Sequence, residues 1–67
     1  MSVAKVIELS AEGETIESAI DNAIEAAGKS VRGVTAVNVE NIKALVSDNR
    51  VSSYRILCKV SFVIDDK

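Results

Sequence analysis

The sequence predicts an α+β fold with the element order β-α-β-β, and three observations carry this prediction. Residues 52–65 alternate in side-chain character with a period of two, which is typical of a strand. Residues 15–31 repeat apolar residues at intervals of three and four, as one face of an amphipathic helix does. Residues 34–46 are rich in β-branched residues and contain no proline, which favours a further strand.

The first two elements are a short strand at residues 3–9, VAKVIEL, and a helix from Thr15 to Val31. Small alanines on the apolar stripe of the helix allow it to lie close to a sheet. Acidic residues cluster where the positive end of the helix dipole would lie, and this arrangement is favourable. These residues are Glu12, Glu14 and Glu17.

The second strand, residues 34–46, changes its alternation partway along. Val37 and Val39 share one parity, whereas Ile42 shares the other. We therefore expect a bulge near Glu40–Asn41. The segment SDNR, residues 47–50, is the expected turn into the third strand.

A helical crossover makes the first two strands parallel, and the hairpin makes the third strand antiparallel to the second. With the third strand in the middle, these elements form a three-stranded antiparallel sheet with the helix on one face. One face of the third strand is apolar throughout, while the other mixes Arg55 and Lys59 with apolar residues. Because one helix covers only one face, we expect neighbouring copies of the chain to cover part of the other.

The length of 67 residues predicts a single domain, residues 1–67, with a thin core. Chains this short commonly depend on disulfides, a metal or association with other copies. A single cysteine, Cys58, excludes an internal disulfide, and its position on the apolar parity predicts a buried, unreactive thiol. Self-association is the remaining source of stability, so we expect a homo-oligomer.

The charge balance and hydropathy exclude several classes of partner. The formal net charge is −2, without the basic stripe of a nucleic-acid-binding protein. No segment reaches the ~20 apolar residues of a membrane span, and the first residues lack the apolar run of a signal peptide. We expect a cytoplasmic protein, which suits an unpaired cysteine.

No catalytic motif is present, so the sequence does not predict an enzyme. The chain has no histidine, which excludes Ser-His-Asp and Cys-His pairs, and its three glycines form no phosphate-binding loop. Asp65–Asp66 could contribute oxygen ligands to a hard cation, but such a pair is also typical of a solvated tail. The sequence therefore does not identify metal ligands.

Two cations lie on the face of the third strand that points away from the helix. Arg55 and Lys59 could pair with acids on an adjacent strand or subunit. Alternatively, a guanidinium on a rigid strand could bind a carboxylate, a phosphate or the edge of a heterocycle. The residues themselves do not decide between these interpretations.

Four segments together resemble the dodecin family over nearly the whole chain: SVAKVIEL, TIESAIDNAIEAAGKSV, VRGVTAVNVE and YRILCKVSF. The resemblance implies a β-α-β-β protomer whose three-stranded antiparallel sheet wraps around one helix, and twelve copies of this protomer close into a hollow homododecamer. It also implies pockets for flavins such as riboflavin, FMN or FAD, which are stored and protected rather than used in catalysis.

The resemblance places the ligand site at Ala36 and Arg55. Flavin-binding members of the family carry a tryptophan that stacks on the isoalloxazine ring where this chain has Ala36, and a glutamine where it has Arg55. Two hypotheses follow. One is an oligomeric binding or storage protein for a small planar or anionic ligand of the flavin type, and the other is a structural shell that binds calcium or another cation.

Overall fold

A computed structural model describes residues 2–65, with side chains described for residues 3–64. It contains four elements in the order that the sequence predicts, β-α-β-β. These are β1 (Ser2–Gly13), α1 (Ile16–Gly28), β2 (Val34–Ser47) and β3 (Arg50–Asp65). The α+β fold is confirmed, although β1 runs four residues past its predicted end and the helix is shorter than predicted.

The boundaries of α1 follow from local hydrogen bonds. Thr15 and Ser18 form a capping box, in which each side chain accepts a hydrogen bond from the backbone amide of the other. At the other end the last turn tightens, because the amides of Lys29 and Ser30 donate to carbonyl oxygens three residues earlier, at 3.3 and 3.0 Å. The regular helix therefore ends at Gly28 rather than at Val31.

The three strands form one antiparallel sheet in the order β1-β3-β2, so β3 is the central strand as predicted. The register shifts between Val39 and Asn41, which confirms the bulge expected near Glu40–Asn41. Asp48 and Asn49 connect β2 to β3 with φ values of 54° and 59°, the left-handed conformation that two-residue hairpin loops require.

The core lies between α1 and the middle of β3. Three alanines of the helix, one per turn, meet Ile56, Cys58 and Val60 of the strand. The buried apolar residues in positions 3–64 are Ala19, Ala23, Ala27, Ile56, Cys58, Val60 and Phe62. This core is small, and it confirms which parity of β3 faces the helix.

Many large apolar side chains remain exposed outside that core. Among residues 3–64, nine of them are more than a third accessible: Val3, Val6, Ile16, Ile24, Ile42, Val46, Val51, Leu57 and Ile64. Ile16 and Ile24 lie two turns apart on the helix, while the others lie on all three strands. A single copy of the chain thus leaves much apolar surface in contact with water.

The hairpin of β2 and β3 extends well past the rest of the fold. The pairing of β1 with β3 ends at Gly13 and Tyr54, so the hairpin continues beyond that point as a two-stranded ribbon. At its end Val46 and Val51 are paired and 63% and 53% exposed. Isolated two-stranded ribbons are marginally stable in water, so this end needs a covering surface.

No helix in residues 2–65 has the length and apolar character that a membrane crossing requires.

We predict that Gly13→Ala destabilises the protein by about 2 kcal/mol or more, because the last residue of β1 lies against the start of the helix. A Cβ atom at Gly13 would lie 2.4 Å from the backbone nitrogen of Ala19. Gly28→Ala is the matched control, since a Cβ there has no neighbour within 4 Å. Urea denaturation at fixed protein concentration measures both variants, and equal midpoints would contradict the prediction.

We also predict that Cys58 does not react with thiol reagents in the native protein. The side chain has no accessible surface, and burial raises the pKa of the Cys58 thiol above its usual value, which keeps the reactive thiolate scarce. A thiol-reactive dye should label the protein only after denaturation. Rapid labelling of the native protein would contradict the assignment of Cys58 to the face of β3 that packs against the helix.

Candidate functional site

The candidate site lies on the sheet face that points away from α1, which we call the open face. Along β3, the buried residues Ile56, Cys58 and Val60 alternate with exposed Leu57 and Lys59. Paired residues on neighbouring antiparallel strands share a face, so the open face can be described as rows across the sheet. Two such rows contain the cations predicted from the sequence.

The first row joins Glu12 of β1, Arg55 of β3 and Lys43 of β2. The Nε and Nη2 atoms of Arg55 donate to Oε2 of Glu12, at 2.9 and 2.6 Å. Both side chains are about half exposed. Pairing with an acid on an adjacent strand, one of the two interpretations of Arg55, is therefore confirmed within the chain itself.

Glu12 is correspondingly a strand residue, not a member of the acidic cluster expected at the helix start. Its backbone carbonyl does contact the helix, because Asn22 Nδ2 donates to it at 2.7 Å. Of the three acids predicted to face the helix dipole, Glu17 lies in the first helical turn. The strand predicted from the sequence ended at residue 9, so the pairing of Glu12 with Arg55 was not predicted.

A shallow depression of about 230 Å³ adjoins this row. It is lined by Ser10, Asn41, Lys43, Arg55, Ile56 and Leu57. Lys43 has no carboxylate within 4 Å among residues 3–64, whereas Arg55 is paired. The lining thus combines an ammonium, a guanidinium, an amide and a hydroxyl with the apolar side chain of Leu57, a set that suits a small ligand bearing an anionic group.

Lys43 is the functional candidate that reasoning from the sequence missed. Its position on the open face depends on the bulge after Val39, which shifts the phase of the second half of β2. The bulge was expected from the sequence. If the alternation of β2 is shifted by one residue after the bulge, Lys43 is predicted to share the open face with Arg55. The signal was therefore present but indirect.

Lys59 occupies a different row, between Glu8 of β1 and Asn38 of β2. The structure shows no ion pair between Lys59 and a carboxylate in residues 3–64. The Asn38 amide donates to Glu40 Oε2 on the same strand. Lys59 therefore stands beside acidic groups without the direct pairing that Arg55 has.

Ala36, the other predicted site residue, is exposed on the edge strand β2 and pairs with Ser61. Ser61 lies six residues along β3 from Arg55, which corresponds to roughly 20 Å at ~3.3 Å per residue. Within one copy of the chain, the structure does not bring Ala36 and Arg55 together. Ala36 instead borders a groove of about 350 Å³ that also includes Ile20 and Ile24 of the helix.

The two aromatic side chains of the chain both belong to the helix side of β3. Phe62 is 7% exposed, and Tyr54 is partly buried. Neither offers a ring to a ligand on the open face. A planar ligand bound there by one copy would contact aliphatic groups such as Leu57.

The described side chains include no group of three or more His, Cys, Asp or Glu residues that could hold a metal ion. The acidic pair Asp65–Asp66 lies outside the residues whose side chains are described. A cavity of about 510 Å³ lies after the helix and is lined by residues 30–33 and 62–64. It contains no acidic side chain among these residues.

Known protein structures match this fold over the full chain. A crystal structure of the tt0972 protein of Thermus thermophilus has a TM-score of 0.89 and 26% sequence identity, with all of both chains covered. A variant of the dodecin of Thermus thermophilus with an arginine replaced by alanine matches with a TM-score of 0.87 and 26% identity, also over all of both chains.

The dodecin of Streptomyces davaonensis matches in fold, with a TM-score of 0.85, 18% identity and 97% of each chain covered. No curated protein sequence matches this chain. The family model for Dodecin matches residues 3–65, nearly the whole length. The chain therefore belongs to the dodecin family.

Proposed function

We propose that this protein binds and stores a small anionic ligand of the flavin type, as a non-enzymatic member of the dodecin family. The observation that carries the proposal is the depression on the open face, where Lys43 and Arg55 adjoin Leu57. These groups supply charge, hydrogen-bond donors and an apolar contact. Residues 1–67 act as a single domain, and the buried, unpaired Cys58 suits the reducing cytoplasm.

The working form is a homo-oligomer, and twelve copies are the number proposed from the family. Support comes from the small core and from the nine large apolar side chains that one copy leaves exposed. Large exposed apolar areas mark interaction surfaces in small proteins. Burying it against other copies would supply the stability that a 67-residue core lacks.

An oligomer also relates the two residues that the family resemblance assigns to the ligand. Ala36 and Arg55 are roughly 20 Å apart along one sheet, so they contact the same ligand only if they belong to different copies. Each ligand site is then completed by a neighbouring protomer. Arg55 and Lys43 of one copy face the polar part of the ligand, and Ala36 of another faces its ring.

The residues present fit the polar part of a flavin better than its ring. A flavin supplies a planar heterocycle and, in FMN and FAD, phosphate groups. Lys43 offers an uncompensated charge for phosphate, whereas Ala36 offers a single methyl group where stacking needs a ring face. We therefore propose weak binding of riboflavin, with phosphate groups contributing much of the affinity for FMN.

The alternative of a shell that binds calcium has less support. Calcium requires six to eight oxygen ligands, and no acidic cluster of three residues occurs within the described side chains of one copy. Glu12 is already engaged by Arg55. The small-ligand proposal rests on groups that the structure brings together, so it is preferred.

We predict that the native protein has a mass near that of twelve 7.1 kDa copies, about 85 kDa. The exposed apolar residues on the helix and on all three strands provide the physical reason. Native mass spectrometry measures the copy number and any retained ligand together. A folded monomer or dimer at micromolar concentration would contradict the prediction.

We further predict that the wild type binds riboflavin and FMN at least tenfold more weakly than the double variant Ala36→Trp, Arg55→Gln. Stacking on an aromatic ring contributes ~1–3 kcal/mol, and an amide offers the flavin edge both a donor and an acceptor. Quenching of flavin fluorescence measures the affinities.

Ala36→Leu in place of Ala36→Trp is the matched control, since it adds apolar volume without a ring face. If Leu and Trp strengthen binding equally, stacking is not the cause. If the wild type binds as tightly as the double variant, the proposed roles of Ala36 and Arg55 are wrong.

A further inference from the structure

We propose that Glu12 determines which ligand charge the open-face depression accepts. Glu12 occupies one hydrogen-bonding edge of Arg55 and leaves Lys43 as the cation of this row that has no ion pair within residues 3–64. This inference rests on the proposed function, because it concerns the same depression. It assigns a selective role to a residue that does not line the depression itself.

The geometry of the ion pair supports the first step. A guanidinium binds carboxylate or phosphate most strongly through two parallel N–H groups on one edge. In Arg55, the edge formed by Nε and Nη2 already donates to Glu12 Oε2. A phosphate that approaches the depression therefore finds this edge occupied and must displace Glu12 to use it.

The charges of the row support the second step. Glu12, Arg55 and Lys43 lie side by side across the three strands and carry a formal sum of +1. One negative charge on a ligand balances this sum. A second negative charge on the ligand is repelled by the Glu12 carboxylate of the same row. In a partly hydrated site, this repulsion changes the affinity for the ligand by roughly three- to tenfold.

The rest of the open face shows that this arrangement is particular to Glu12. Glu8 lies on the same strand and the same face, one row beyond Ser10, and stands opposite Lys59. It forms no ion pair with a cation in residues 3–64. Glu8 is four residues from the row of Glu12, Arg55 and Lys43, about 13 Å along the strand at ~3.3 Å per residue, which exceeds the screening length of ~8 Å at physiological salt.

The experiment compares a neutral and a dianionic flavin in four proteins at pH 7.5. The probes are riboflavin and FMN, whose phosphate carries close to two charges at this pH. The proteins are the wild type, Glu12→Gln, Lys43→Gln and the matched control Glu8→Gln. Fluorescence quenching gives the affinities, and native mass spectrometry confirms that all four assemble alike.

We expect Glu12→Gln to strengthen FMN binding by roughly three- to tenfold while riboflavin binding changes less than twofold. Lys43→Gln should weaken FMN binding by at least about threefold, and Glu8→Gln should change neither ligand. At pH 5.5, where the phosphate loses much of its second charge, the advantage of Glu12→Gln should shrink.

Three outcomes would overturn the inference, and they differ in whether the proposed function fails with it. If Glu12→Gln binds the two flavins with the same ratio of FMN to riboflavin affinity as the wild type, while Lys43→Gln still weakens FMN binding, Glu12 has no selective role and the proposed function stands. If none of the four proteins binds either flavin, the proposed function fails together with the inference. An equal gain for both flavins in Glu12→Gln would show a structural effect rather than charge selection.

Discussion

The contact between three alanines of α1 and the middle of β3 is the constraint on which the rest of the structure depends. Ala19, Ala23 and Ala27 allow the helix to lie directly against Ile56, Cys58 and Val60. The 13-residue helix is about 20 Å long at ~1.5 Å per residue, whereas the 16-residue β3 is about 53 Å long at ~3.3 Å. One helix therefore covers less than half of the strand it packs on, and the uncovered apolar surface makes association with other copies the expected source of stability.

The same contact positions the candidate site. Because alternate residues of β3 are held against the helix, the intervening residues must point to the open face, and Arg55 is one of them. The two flanking strands then supply Glu12 and Lys43 in register with it. The polar row is thus a consequence of core packing, since a change in the phase of β3 would bury the guanidinium and expose Ile56.

Periodicity in the sequence was sufficient to predict the fold, because the apolar spacing of three and four in the helix differs from the period of two in the strands. It predicted the central position of β3, the buried Cys58 and the bulge beside Glu40, all of which follow from local pattern and chain connection. It did not predict that β1 continues to Gly13, because residues 10–13 have no strong alternation and are strand only through pairing with β3. The Glu12–Arg55 contact joins residues 43 positions apart, and no local pattern reports such a pair.

The central position of β3 also affects how the chain folds during its synthesis. β1 and β2 each pair with β3 and not with one another, yet β3 is the last of the four elements to be translated. Neither edge strand has a sheet partner until β3 has left the ribosome. The sheet therefore forms only after β1, α1 and β2 have all been translated. Until then the nascent chain presents two unpaired apolar strands, a state in which chaperones and neighbouring nascent chains compete with correct folding.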